Sequence, residues 1–210
     1  MKRIATWIIS VMVSATALMA QDYSLSNHNV VPFSLNPSSV GAANTLRLGI
    51  NYRMQWPMLS NNYHTVRVSY DQNVYKQMCS VGASYSYDQH SSVFGVHQFD
   101  AVYAHTFRLA DKHFIRLGLQ ASCFLNQLHA DGLTFGDQYD PTTGSMLPSS
   151  AEQWENQSKA FFDFSVGASY VFEHKFMVGF AVYHLAEPDN GFVPNMQSLP
   201  RKYVGQIGFV

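Results

Sequence analysis

Residues 161–188, FFDFSVGASYVFEHKFMVGFAVYHLAEP, decide the fold class. Every second residue from Phe162 is apolar: Phe162, Phe164, Val166, Ala168, Tyr170 and Phe172. The intervening Asp163, Ser165, Gly167 and Ser169 are small or polar. After Glu173, His174 and Lys175 the apolar series resumes at Phe176, Val178, Phe180 and Val182. Side chains on a strand alternate between faces, so this is a hairpin with one greasy face and one wet one. A protein core or lipid could cover the greasy face.

The same alternation recurs upstream. It predicts strands over Leu46–Met54, Thr65–Asn73, Cys79–Asp88, Gln98–Arg108 and Phe114–Asn126, and a further strand beginning near Tyr203. None of the apolar series contains Asp, Glu, Lys or Arg. Arg47, Arg53, Arg67, Asp71, Asp100, Arg108, Arg116 and Asp163 all fall on the other parity. Gln55–Tyr63, Gln89–His97, Gln127–Lys159 and Ala186–Lys202 read as long connections. Val74–Gln77, Leu109–Lys112 and Glu173–Lys175 read as short ones. Alternating long and short connections are what a barrel with short periplasmic turns and long outer loops requires. A soluble sandwich has no such obligation. Aromatics of the apolar face gather near strand ends: Tyr52, Tyr87, Phe99, Phe162 and Tyr203 at one, Tyr70, Tyr103, Phe107, Tyr170, Phe172 and Phe176 at the other. Rings at headgroup depth satisfy an apolar body and a polar edge together. Phe180, at mid-strand, fits neither belt. The expected fold is therefore all-β, an antiparallel up-and-down outer-membrane β-barrel of about eight strands, with C-terminal strands missing because the chain stops inside the last one.

The N-terminus supplies the address. Lys2 and Arg3, an apolar run from Ile4 to Val13, and small residues from Ala15 to Ala20 form a secretory signal peptide, with cleavage expected after Ala20. Residues 21–210 then form one barrel domain, and Gln21–Thr45 reads as an extended lead-in. No later apolar run reaches the roughly 18 residues of a spanning helix. With 13% charged residues and a net charge of −1, nothing points to nucleic acid. Cys79 and Cys123 both take apolar parity on strands that are not neighbours in sequence, so two reduced, buried thiols are expected rather than a disulfide.

Chemistry-bearing patterns are sparse. Nine histidines include no HxH or HExxH, and His105 and His184 take outward parity at opposite rims, so no metal is expected. Asp131, Asp137 and Asp140 could gather around calcium, but a solvated loop with an Asp-Pro turn is the favoured reading. Asp163 and Ser165 share a face, but no inward histidine joins them; lumen polarity rather than hydrolase chemistry is the reading. Arg53, Gln55, Trp56 and Pro57 suit either a docking rim or a strand end with a Trp anchor. No cofactor and no catalytic residue is expected.

Several short motifs, in order, carry a further resemblance. They are Gln21-Asp22, Asn36-Pro37 with Gly41, Asn51-Tyr52-Arg53-Met54-Gln55-Trp56-Pro57, Ser69-Tyr70-Asp71-Gln72, and Leu133-Thr134-Phe135-Gly136-Asp137 with Asp140-Pro141. Phe162-Asp163-Phe164-Ser165-Val166-Gly167, His184-Leu185 with Glu187-Pro188, and Leu199-Pro200-Arg201-Lys202-Tyr203 follow. Together they resemble the PorP/SprF family of type IX secretion system membrane proteins of Bacteroidetes outer membranes, over the whole mature chain. The resemblance implies a non-enzymatic barrel longer than this chain. It would assist export or surface attachment of cargo such as gliding adhesins, beside the secretion machinery and a periplasmic peptidoglycan-binding anchor. Asn36, Pro37, Gly41, Tyr52, Arg53, Gln55, Trp56, Pro57, Asp71, Asp163, Ser165, Gly167, His184 and Pro188 are its candidate partner or structural residues. A porin-like channel and a soluble periplasmic β-domain are the alternative functions.

Overall fold

The computed structural model describes residues 27–28, 30–43, 45–58, 62–75, 78–90, 93–129, 136–139, 144–145, 157–173, 175–192 and 198–209. The signal segment, Gln21-Asp22, Asp131, Leu133–Phe135, Asp140-Pro141 and His174 lie outside them. Eight strands form one sheet in sequence order: β1 (Arg47–Gln55), β2 (Tyr63–Tyr75), β3 (Cys79–His90), β4 (Phe94–Ala110), β5 (His113–Leu128), β6 (Gln157–Phe172), β7 (Phe176–Tyr183) and β8 (Lys202–Phe209). Each pairs antiparallel with the next. Among the described residues β1 and β8 do not pair, so the sheet is a curled, incomplete up-and-down barrel. No helix among the described residues is long and apolar enough to cross a membrane.

The predicted parity holds strand by strand. Outward Leu48, Ile50, Phe162, Phe164, Leu119 and Ile207 are exposed, Ile50 by 74%. Inward Asn51, Arg67, Asp71, Ser84, Asp100, Gln120, Asp163 and Ser165 are buried, Asp71 and Asp163 to 1%. This inverts the arrangement of a water-soluble protein, whose large apolar side chains are hidden and whose charges are exposed. Cys79 and Cys123 are free, and they are only half-buried on the outer face rather than fully buried.

Two expectations are corrected. The β3–β4 connection is not long: Gln89 pairs with Gly95 and His90 with Phe94, leaving only residues 91–93 between the strands. Backbone hydrogen bonding continues past the point where side-chain alternation fades, because the ladder does not depend on side-chain polarity. The His90 and Phe94 rings, 5.6 Å apart, close that end. Connections 56–62, 129–156 and 184–201 are the longer ones and share that end; 76–78, 111–112 and 173–175 lie at the other.

Nor is residues 30–43 an extended lead-in. Two single 3-10 turns, Pro32–Ser34 and Pro37–Ser39, fold the segment into a plug on the concave face. Val31, Phe33 and Val40 are fully buried, packed with Val102 and Ala104 of β4. Proline at the first turn position fixes φ where the missing N–H costs nothing, which makes Pro32 and Pro37 turn starters. A closed eight-stranded barrel has room inside for side chains but little more. Here the concave face holds two turns of backbone, and among the described residues β1 and β8 do not pair.

Candidate functional site: a plugged concave face

The plug is seated by a slot the strands leave open. A Cβ added at Gly167 of β6 would lie 2.0 Å from Asn36 Oδ1, and one at Gly118 of β5 would lie 2.2 Å from the Ser38 amide nitrogen. Those two glycines pair directly across the sheet. Into the slot goes Asn36, whose Oδ1 accepts from the Ser38 amide at 3.0 Å and from the Ser38 hydroxyl at 2.8 Å. Its Nδ2 donates to the carbonyl of Ala168 on β6 at 3.2 Å. Ser38 reaches Ser169 hydroxyl to hydroxyl at 2.9 Å. An asparagine can satisfy both a turn and a strand because one end accepts while the other donates.

Asp71 anchors the far end of the plug. Its carboxylate takes two parallel bonds from Arg47, both 2.8 Å, and also accepts the Gly41 amide at 2.8 Å. Gly41 has φ +65, where a Cβ would also meet Ser80 at 2.6 Å, so only glycine serves there. Arg116 of β5 donates to the Val40 carbonyl.

Between these contacts lies an ionic hub. Arg67 donates to Asp100 at 2.7 Å, with the two side chains 5% and 0% exposed. Asp100 also accepts from Ser84, Gln98, Gln120 and Ser122 at 2.7–3.1 Å. So many donors give a buried carboxylate the hydrogen bonds that its removal from water would otherwise cost it. The Arg67 guanidinium sits 5.8 Å from the centre of the Phe33 ring, a cation–π contact that ties hub to plug. The Tyr183 hydroxyl donates to the Phe33 carbonyl at 3.2 Å.

The candidate residues therefore separate into three groups. Asn36, Pro37, Gly41, Asp71 and Gly167 converge on the plug. Asp163, Ser165 and His184 line a cavity of about 170 Å³ toward the longer loops. Tyr52, Arg53, Gln55, Trp56 and Pro57 lie at the end of β1, with Trp56 at φ +52 and its ring edge-on to Tyr63 at 5.2 Å. Pro188, in the loop after β7, accepts the Leu199 amide at 2.9 Å.

His184 corrects its predicted orientation. Parity placed it outward, following inward Tyr183, but its φ of +59 breaks the strand and turns the ring in. It is 5% exposed, and its Nδ1 lies 2.8 Å from Asp163 Oδ2. An inward histidine thus does join Asp163. Ser165 Oγ, however, has no hydrogen-bond partner among the described residues, so the nucleophile–base contact of a hydrolase is not made. Asp137 is exposed in a 3-10 turn, and no metal-binding group of His, Cys, Asp or Glu occurs among the described residues.

Phe33, Ser38, Arg67, Asp100 and Arg116 were not among the candidates. The inward parity of Arg67 and Asp100 on strands two apart was the one available signal for the hub. On the convex face four Tyr–His contacts also went unforeseen: Tyr52–His64 and Tyr85–His97 at 2.8 Å, Tyr103–His105 at 3.3 Å and Tyr170–His113 at 2.6 Å.

An apolar exterior around a buried polar interior defines the membrane β-barrel class. Residues 17–210 match the family described as type IX secretion system membrane protein PorP/SprF, and the chain belongs to that family. It is thus a membrane component of type IX secretion, a family described by its place in a secretion system rather than by a reaction. No curated protein and no solved structure matches the chain.

Proposed function

We propose that the protein is a non-enzymatic outer-membrane component of type IX secretion. It assists export or surface attachment of cargo proteins, such as gliding adhesins, through protein–protein contacts. The convex face meets outer-membrane lipid, the longer loops face outward toward cargo, and the short turns face a periplasmic peptidoglycan-binding anchor. The N-terminal signal peptide directs export and is then cleaved after Ala20. The observation that carries this reading is the inverted sheet: uncharged, exposed outward series on every strand around a plugged, ion-paired lumen, in a member of this family.

The plug weighs against a porin-like channel, since Phe33, Asn36 and Val40 are fully buried where a conduit would run. The exposed apolar convex face weighs against a soluble periplasmic domain. Deleting the gene and assaying surface display of type IX cargo tests the role. Loss of one or more cargoes from the surface is expected, with the protein itself in the outer-membrane fraction and Gln21 at its mature N-terminus. Unchanged display of every cargo overturns the role; recovery in the soluble periplasm overturns the location.

A further inference from the structure

Below the plug, at the short-turn end, the concave face opens into a cavity of about 1060 Å³. Its floor is the plug itself, at Ser38, Ser39 and Ala42. Its walls combine apolar Phe114, Val171 and Met177 with cationic Arg108, Arg116 and Lys175. Among the described residues Asp111 is the one acidic residue lining it, and Asp111 is paired with Arg108 at 2.7 Å. Arg116 has no such partner: no carboxylate among the described residues is within ion-pair distance of it, and its buried Nε has no hydrogen-bond acceptor. A guanidinium that is largely shielded yet keeps an unused donor marks the place where an anionic group would gain most.

We infer that this vestibule binds an acidic peptide segment, with apolar side chains between its carboxylates, contributed by a periplasmic protein partner. The inference rests on the proposed orientation of the short turns toward the periplasm. The cations stand apart, Arg108 on β4 beside Asp111, Lys175 in the β6–β7 turn 3.8 Å from Glu173, and Arg116 on β5, so they match carboxylates spaced along a chain better than a single headgroup. The cavity is also on the concave face, opposite the convex surface that would meet lipid. Its size is at the upper end of the roughly 300–1,000 Å³ of small-molecule sites, enough for several residues.

The test uses the full-length protein in neutral detergent and a synthetic peptide, LEFEL, acetylated at its N-terminus and amidated at its C-terminus, titrated by calorimetry beside its uncharged analogue LQFQL, blocked in the same way. Saturable binding of LEFEL is expected, about tenfold or more tighter than LQFQL and weakened by salt. Arg116→Gln should weaken LEFEL about tenfold, Arg116→Lys should restore part of the loss, and Arg201→Gln at the opposite end should change nothing. Arg116 also holds Val40, so folding of each variant is checked by heat-modifiable gel mobility; Lys175→Gln, which leaves the plug untouched, is the second variant. No binding of LEFEL, equal binding of LQFQL, or variants that bind as wild type would overturn the inference. Displacement of LEFEL by stoichiometric short-chain phosphatidylglycerol would overturn it in favour of a lipid. If binding fails while deletion still abolishes cargo display, the vestibule reading falls and the secretion role stands. If binding holds while display is unaffected, the reverse follows.

Discussion

On β5, Gly118, Gln120 and Ser122 are buried, while Leu117 and Leu119, one residue away along the same strand, are 47% and 59% exposed. The two faces of this sheet share every backbone bond and differ only in what they meet. The concave face meets a plug of defined shape, so each position is matched to one partner: Gly167 to Asn36, Asp71 to Gly41, Asp100 to Arg67. The convex face offers only apolarity and a rim of Tyr–His pairs. A fluid surrounding asks for a class of side chain, whereas a folded plug asks for particular ones.

This contrast can be broken by experiment, beginning with its largest expected effect. Asp100→Ala strands the Arg67 guanidinium in a buried site and should cost about 3–5 kcal/mol, measured by urea unfolding in lipid vesicles. A loss below about 1 kcal/mol would mean the hub is solvated and the two faces less distinct. Leu119→Arg places a charge on the convex face and should cost about 2–4 kcal/mol in vesicles if that face lies in hydrocarbon, with Leu119→Phe nearly neutral. Equal tolerance of both substitutions would remove lipid from the convex face.

Asn36→Ala should cost about 1–2 kcal/mol, because the Ser38 amide loses its buried acceptor. Faster protease cleavage within residues 30–43 is the sharper readout, and unchanged cleavage would show the plug held without its asparagine. Tyr52→Phe removes one hydroxyl contact to His64 at the rim and should cost under about 1 kcal/mol. A larger loss would show that the convex face, too, depends on specific pairs.

The strands were legible because period-two alternation is a local property of the chain, and it placed Arg67, Asp71, Asp100 and Asp163 on the face that is buried. The plug was not. Residues 30–43 have no period, and Asn36-Pro37 with Gly41 announces turns without saying what the turns pack against. The glycines that make room for it, Gly118 and Gly167, look in sequence like any small residues on a wet strand face. His184 escaped because a single left-handed residue reverses parity, and nothing in Tyr183-His184-Leu185 announces a positive φ. The β3–β4 connection escaped because pairing outlasts side-chain alternation.

By itself, then, the sequence determined an all-β chain whose strands turn one face to apolar surroundings and the other inward, together with its family. Those follow from side-chain alternation and from short ordered motifs, both of which are written along the chain. The tertiary structure alone decided that the concave face is occupied and that His184 joins Asp163. It alone left Arg116 facing an open vestibule with no carboxylate within ion-pair distance among the described residues. These depend on which residues distant in sequence share one enclosed space, and a buried charge takes its energy from that company.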